Sequence, residues 1–258
     1  MGAARSRLRS LPWIAGVLGG VLIAGGSVIA VLQSGQAGSA ATIPSSGPIA
    51  PVEPDEKDGA TEGEAELSER TGIAALPAGF WAAETAERFG IPERVVLAYG
   101  GAAIRLAGEQ PGCGVDWATL AGIGQIESEH GAIHGGVIGS DGVRRPALYG
   151  IPLDGASTAE IADTDGGVLD GDAAWDRAMG PMQIIPDTWR EYASDGDDDG
   201  ASDPQHIDDA ALTAARYLCA VGVDLRTDAG WIAAVGAYND TTDYNHRVAE
   251  ATSRYRSG

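Results

Sequence analysis

Apolar positions follow two patterns along this chain: one unbroken run near the start, and a helical period through most of the later residues. From Pro12 to Leu32 there are 21 residues without a charge, among them Trp13, Ile14, Val17, Leu18, Ile23 and Ile29. As a helix that run is about 30 Å long, the thickness of a bilayer core. Arg5, Arg7 and Arg9 precede it with no acid among them, so the positive-inside bias puts residues 1–11 in the cytoplasm and everything after Leu32 outside. The small residues of Gln36-Ala-Gly-Ser-Ala-Ala41 also suit a signal peptidase. The apolar run exceeds an ordinary signal core, and the reading adopted is an uncleaved single-pass anchor over 12–32, with the domain extracytoplasmic. A cleaved, secreted form is the alternative.

Residues 33–71 lose the apolar pattern. Ser, Gly, Ala and Pro give way to a run of acids from Glu53 to Glu69, a composition that stays extended as a disordered linker. From residue 72 to 258 the helical period sets in. It predicts helices over about 79–89 and 93–109, the second with Val95, Tyr99, Ala102 and Leu106 facing the core. A third opens after the N-cap Asp116 and stops near Gly131. Others follow at about 186–194, 208–221, 229–238 and 242–255. Residues 132–176, rich in Gly and Asp, read as turns and short strands. The fold class is mainly α, with a small irregular, partly β insertion, preceded by a transmembrane helix and a linker.

Charge narrows the function classes. There are 37 acidic against 17 basic residues, a net charge of -20, and no basic run interleaved with aromatics, so no nucleic-acid footprint is present. Two cysteines without a Cys-x-x-Cys spacing exclude a cysteine zinc site and a thioredoxin-type pair. In an exported domain Cys113 and Cys219 are expected to form a disulfide bracing the third helix against the later ones.

The third helix carries the first chemical candidate. Trp117, Leu120, Ala121, Gly124 and Glu127 share a face, which places a carboxylate at the inward end of a helix. Desolvation there makes a carboxyl hold its proton, as a general acid near neutral pH requires. A solvated surface charge, like neighbouring Glu129, is the other reading of Glu127 alone. His130, His134, His206 and His246 lack ligand-like spacing and are taken as surface or structural.

Three segments occur in order: Glu127-Ser128-Glu-His-Gly131, Ala178-Met-Gly-Pro-Met182-Gln183, and Ala237-Tyr238-Asn239. Together with Gly180-Pro-Met-Gln-Ile-Ile-Pro-Asp-Thr-Trp189 and Asp209-Ala-Ala-Leu-Thr-Ala-Ala-Arg-Tyr-Leu218, they resemble the lytic murein transglycosylases. The type resembled is the B-type membrane-bound enzyme in its actinobacterial form. The resemblance implies a lysozyme-like helical domain that cleaves the β-1,4 bond between N-acetylmuramic acid and N-acetylglucosamine without water. It implies Glu127 as acid and then base, and Ser128, Met182, Gln183, Tyr238 and Asn239 as substrate-binding residues. From the residues alone, Ser128 and Asn239 read equally as helix-end caps, and Met182 and Tyr238 as core. A muramidase of the same fold and a non-catalytic glycan-binding scaffold are the alternatives.

Asp195, Asp197 and Asp199 occupy positions 1, 3 and 5 of an EF-hand, with Gly200 at the turn and the Ala201 carbonyl next. The twelfth position is His206, which offers no bidentate carboxylate. The resemblance implies a longer loop closed by Asp209, with Asp203 binding through water. A structural calcium ion is therefore expected, and no cofactor for catalysis; a solvated acidic turn is the other reading. The expected partners are peptidoglycan strands, the membrane through the N-terminal helix, and proteins of cell-wall synthesis or division, with the chain a monomer.

Overall fold

The computed structural model describes residues 70–257. The cytoplasmic tail, the anchor at 12–32 and all but the end of the 33–71 linker lie outside the described residues. Among the described residues no helix is long and apolar enough to cross a membrane. The described part is mainly helical, with seven α-helices: α1 Gly79–Phe89, α2 Glu93–Glu109, α3 Trp117–Ser128, α4 Pro186–Tyr192, α5 Ile207–Ala220, α6 Asp228–Tyr238 and α7 Thr242–Arg256. Short 3-10 turns lie at Gly72–Ala75 and Ile133–Gly135.

The helices start where their caps fall. The Asp116 carboxylate accepts the Thr119 N–H at 2.9 Å, Thr227 caps α6 through the Gly230 N–H, and Thr241 caps α7 through the Tyr244 N–H. Two ends differ from the sequence expectation. Helix α4 stops at Tyr192, because Ala193 turns extended (φ -45, ψ 133) and the Ser194 N–H leaves for the Thr213 hydroxyl. Helix α3 stops at Ser128, three residues before Gly131. The chain turns left-handed already at Glu129 (φ 52), which lets the His130 N–H reach back to the Gly124 carbonyl at 3.0 Å.

Helix α3 is the centre of the packing. It lies against α7, and α2 against α5. The Ala-Gly-Ile-Gly run of α3 is small because neighbours close on it from two sides. A Cβ on Gly122 would stand 2.3 Å from the Thr252 hydroxyl of α7, and one on Gly124 would stand 1.9 Å from the Tyr99 hydroxyl of α2. We expect Gly124→Ala to lose about 1–3 kcal/mol net, since overpacking a buried contact outweighs the ~1 kcal/mol that alanine gains in helix propensity. Urea denaturation measures this, and an unchanged midpoint contradicts the packing account.

The insertion opens with a two-stranded antiparallel pair, β1 Val137–Ile138 and β2 Arg144–Arg145, in register Val137 to Arg145. Isolated bridges Tyr149–Met179, Ala162–Trp175 and Met179–Ile184 continue it. Its aspartates are spent on the backbone: Asp163 accepts N–H groups of Asp165, Gly166 and Gly167, and Asp170 those of Asp172 and Arg177. They shape turns. Cys113 and Cys219 form a disulfide with Cα atoms 5.3 Å apart, tying the segment before α3 to α5.

Candidate active site

Glu127 sits in the last turn of α3 and keeps part of its surface accessible. The Tyr244 hydroxyl, from the first turn of α7, donates to Glu127 Oε1 at 2.6 Å. Tyr244 is itself buried. Burial pushes the Glu127 carboxyl up to about 8, against the Tyr244 hydrogen bond and the Arg247 charge, both of which pull it down. A side chain with only part of its surface accessible and a buried tyrosine against it has the environment such a shift needs.

The second and third motifs converge on this point. Tyr238, fully buried at the end of α6, donates to the Met182 carbonyl at 2.6 Å. Its phenol is raised well above its ordinary range, first by burial and then by the Glu127 charge. The Met182 side chain is fully buried, so this residue, expected to bind substrate, gives its carbonyl to the Tyr238 hydroxyl and its thioether to the core. Gln183 is partly exposed in a left-handed conformation (φ 47), with its amide nitrogen on the Gly180 carbonyl at 2.9 Å. It lies in a turn before α4, not on a helix.

Asn239 is buried at the end of α6, where its Oδ1 accepts the Thr241 N–H at 3.1 Å. Ser128 has no exposed surface. Its hydroxyl donates to the Pro181 carbonyl at 2.6 Å and accepts the Gly131 N–H at 2.8 Å. In this geometry Ser128 caps the end of α3 and ties it to Pro181, beside Met182.

Sequence reasoning missed Tyr244 and Arg247. The signal lay in α7, where Tyr244, Val248, Ala251, Thr252 and Tyr255 form the buried stripe and Tyr244 heads it.

The acidic loop draws its own cluster. Ligand atoms of Asp195, Asp197 and Asp199 lie within 4.8 Å of one another, as do those of Asp197, His206 and Asp209. Burial raises Asp197, and raises Asp209 to about 6. The Asp209 carboxylate accepts N–H groups of Gly196 at 2.7 Å and Asp203 at 2.8 Å, which closes the loop onto α5. His206, expected to be structural, accepts the Asp208 N–H on Nδ1 as the N-cap of α5, and its Nε2 stands 3.3 Å from Asp197.

Residues 160–256 match the family model described as Transglycosylase SLT domain. That match supports a lytic transglycosylase or lysozyme-like superfamily, and an enzyme that acts on peptidoglycan. It takes in Gln183, Tyr238, Asn239, Tyr244 and the acidic loop, and begins after Glu127. No curated protein and no solved structure matches the chain.

Proposed function

We propose that this chain is a peptidoglycan lytic transglycosylase of the B-type, held at the outer face of the cytoplasmic membrane by residues 12–32. Protonated Glu127 gives its proton to the glycosidic oxygen as the bond from the muramoyl C1 breaks. The N-acetyl oxygen of the same sugar carries the developing positive charge. Glu127, now a carboxylate, takes the proton of the C6 hydroxyl as that oxygen closes onto C1, and a 1,6-anhydro end results. One carboxylate suffices because the attacking oxygen is already held on the substrate at high effective concentration. Gln183 is the partly exposed member of the set and faces the sugar; Tyr238 and Asn239, expected to touch it, are fully buried and support the site from behind, and Tyr244 aims the carboxylate.

The observation that carries this reading is a partly accessible carboxyl raised to about 8 and held by a buried tyrosine, in contact with a segment of the transglycosylase match. A protonated acid held by a tyrosine hydroxyl is what the single-acid route requires; a muramidase of the same fold that activates water is the rival. Mass spectrometry of muropeptides released by the full-length chain decides between them: anhydro-muramoyl ends support the proposal, and reducing ends overturn it in favour of hydrolysis.

A calcium ion belongs to the same proposal. The carboxylates of Asp195, Asp197, Asp199 and Asp209, with the Ala201 carbonyl, suit a hard cation. Asp197 and Asp209 are raised first by burial, and each is raised further by a neighbouring aspartate, as negative groups gathered in one place require. The ion would fix the loop against α5 and take no part in bond cleavage. Calcium at a hundredfold excess over its Kd is expected to add about 2–3 kcal/mol of stability. Asp209→Asn should abolish that gain in a thermal melt with and without chelator; equal melts for the native chain remove the ion from the proposal.

A further inference from the structure

We propose that His130 is a positioning residue for the Glu127 carboxyl: its imidazole, held between two tyrosine hydroxyls, locks the left-handed turn that ends α3. The inference rests on Glu127 as the acid and concerns what holds it there.

The turn is an unfavourable one. Glu129, His130 and Gly131 are left-handed in succession, with φ of 52, 59 and 86. For the first two, which carry a Cβ, that conformation persists only where the surroundings impose it. Four bonds do so. The Glu129 N–H donates to the Gln125 carbonyl at 3.2 Å, and the His130 N–H to the Gly124 carbonyl at 3.0 Å. The Ser128 hydroxyl receives the Gly131 N–H and passes its own proton to Pro181. None of these reaches across to α2 or α7.

The His130 side chain does. It is 6 % exposed, with Nδ1 3.3 Å from the Tyr99 hydroxyl of α2 and Nε2 2.9 Å from the Tyr255 hydroxyl of α7. The protons in this chain follow from its outer end. Arg254 donates to the Tyr255 oxygen at 2.9 Å, and Tyr255 donates its own proton to Gln125 Oε1 at 3.0 Å. Nε2 must then be the donor to Tyr255, which leaves Nδ1 to accept from Tyr99. One neutral tautomer fits, and burial together with Arg254 keeps the ring in that state by lowering it to about 4. The imidazole thus anchors the turn to both helices that flank α3.

Glu127 stands two residues before the first left-handed position. Release of the turn breaks the bond to the Gly124 carbonyl and frays the last turn of α3, which carries the acid. The carboxyl then leaves the Tyr244 hydroxyl and enters water, where its pKa returns toward the ordinary range. A side chain that merely filled space would move stability and leave that titration where it was.

The experiment uses the full-length chain on isolated peptidoglycan, with His130→Phe, which keeps a ring and deletes both bonds. The acid faces Tyr244 and Arg247 from α7 and Tyr238 from α6, all unchanged in this variant. We expect kcat to fall about 10- to 100-fold with KM within about twofold. The alkaline limb, set by the Glu127 group at about 8, should move down by about one unit. His130→Gln keeps one acceptor and one donor on its amide and should recover part of both losses. A folded His130→Phe with native kcat and native alkaline limb overturns the proposal. Should His130→Phe fail to fold, Tyr99→Phe and Tyr255→Phe each delete one hydroxyl, and a native limb in both overturns it equally. Failure of the native chain to cleave peptidoglycan strikes the catalytic reading itself, and this one with it.

Discussion

Glu127→Gln is expected to lose cleavage by about 10³–10⁴-fold while gaining stability at neutral pH. The first half follows from the double use of one side chain. The leaving sugar oxygen needs a proton and the C6 hydroxyl must lose one, and general acid–base assistance is worth roughly 10²–10⁴; the amide supplies neither. The second half comes from the burial that raises the carboxyl to about 8 from 4.5. Below the lower value the group is protonated in both folded and unfolded chains and contributes no difference. Between the two, the folded chain holds a proton that the unfolded chain releases, so stability falls as pH rises, and the full penalty stands above about 8.

Glutamine has no such penalty and still accepts the Tyr244 hydrogen bond. The side chain is partly accessible, and screening holds the expected gain to about 1–2 kcal/mol at pH 7, fading near pH 4. Activity of the native chain should also fall as pH rises through about 8, where the acid is lost. Muropeptide release and urea denaturation, run on the same preparation at both pH values, check the pair. A variant that is inactive and less stable at neutral pH has lost its fold rather than its acid, and one that still cleaves ends the catalytic assignment.

How much of this was legible in the sequence depends on the range of the interaction. Caps and helical periods are local. Asp116 before Trp117, and Val95, Tyr99, Ala102 and Leu106 on one face, specify α3 and α2 without knowledge of their packing partners, and the structure places them so. The end of α3 is set by the Gly124 carbonyl, Ser128 and the His130 imidazole, so Gly131 alone pointed to the wrong residue. Tyr244 was invisible for the same reason: 117 residues separate it from Glu127, and only the packing of α7 on α3 brings it there. Motifs placed Met182 and Ser128 near the acid without saying what they bond: the Met182 carbonyl accepts from the Tyr238 hydroxyl and the Ser128 hydroxyl donates to the Pro181 carbonyl, roles that residue type does not encode. The insertion's Gly and Asp content read as turns, and Asp163 and Asp170 cap such turns through backbone N–H groups, because those bonds too are local.

Replacing Cys113 and Cys219 with alanine is expected to cost roughly 4–5 kcal/mol and to leave the turnover of the remaining folded molecules near native. The bond closes a segment of 106 residues, and the chain-entropy estimate for a loop of that length gives the figure. That segment contains α3, the insertion and most of α5, so the open chain gains its freedom in the part of the fold that carries Glu127, Met182 and Gln183. For a domain of this size each kcal/mol moves the thermal midpoint about 2–4 °C, so a drop of about 10–20 °C is expected. Both cysteines are buried, and alanine leaves small voids that add to the loss. Turnover should survive because Cys113 lies beyond the far end of α3, about 18 Å along the helix from the acid's end. Melts of the native chain and the double variant, with turnover measured at low temperature, test this. Equal melts for native and variant chains remove the bracing role, and a loss of kcat at low temperature shows that the bond reaches the acid through α3.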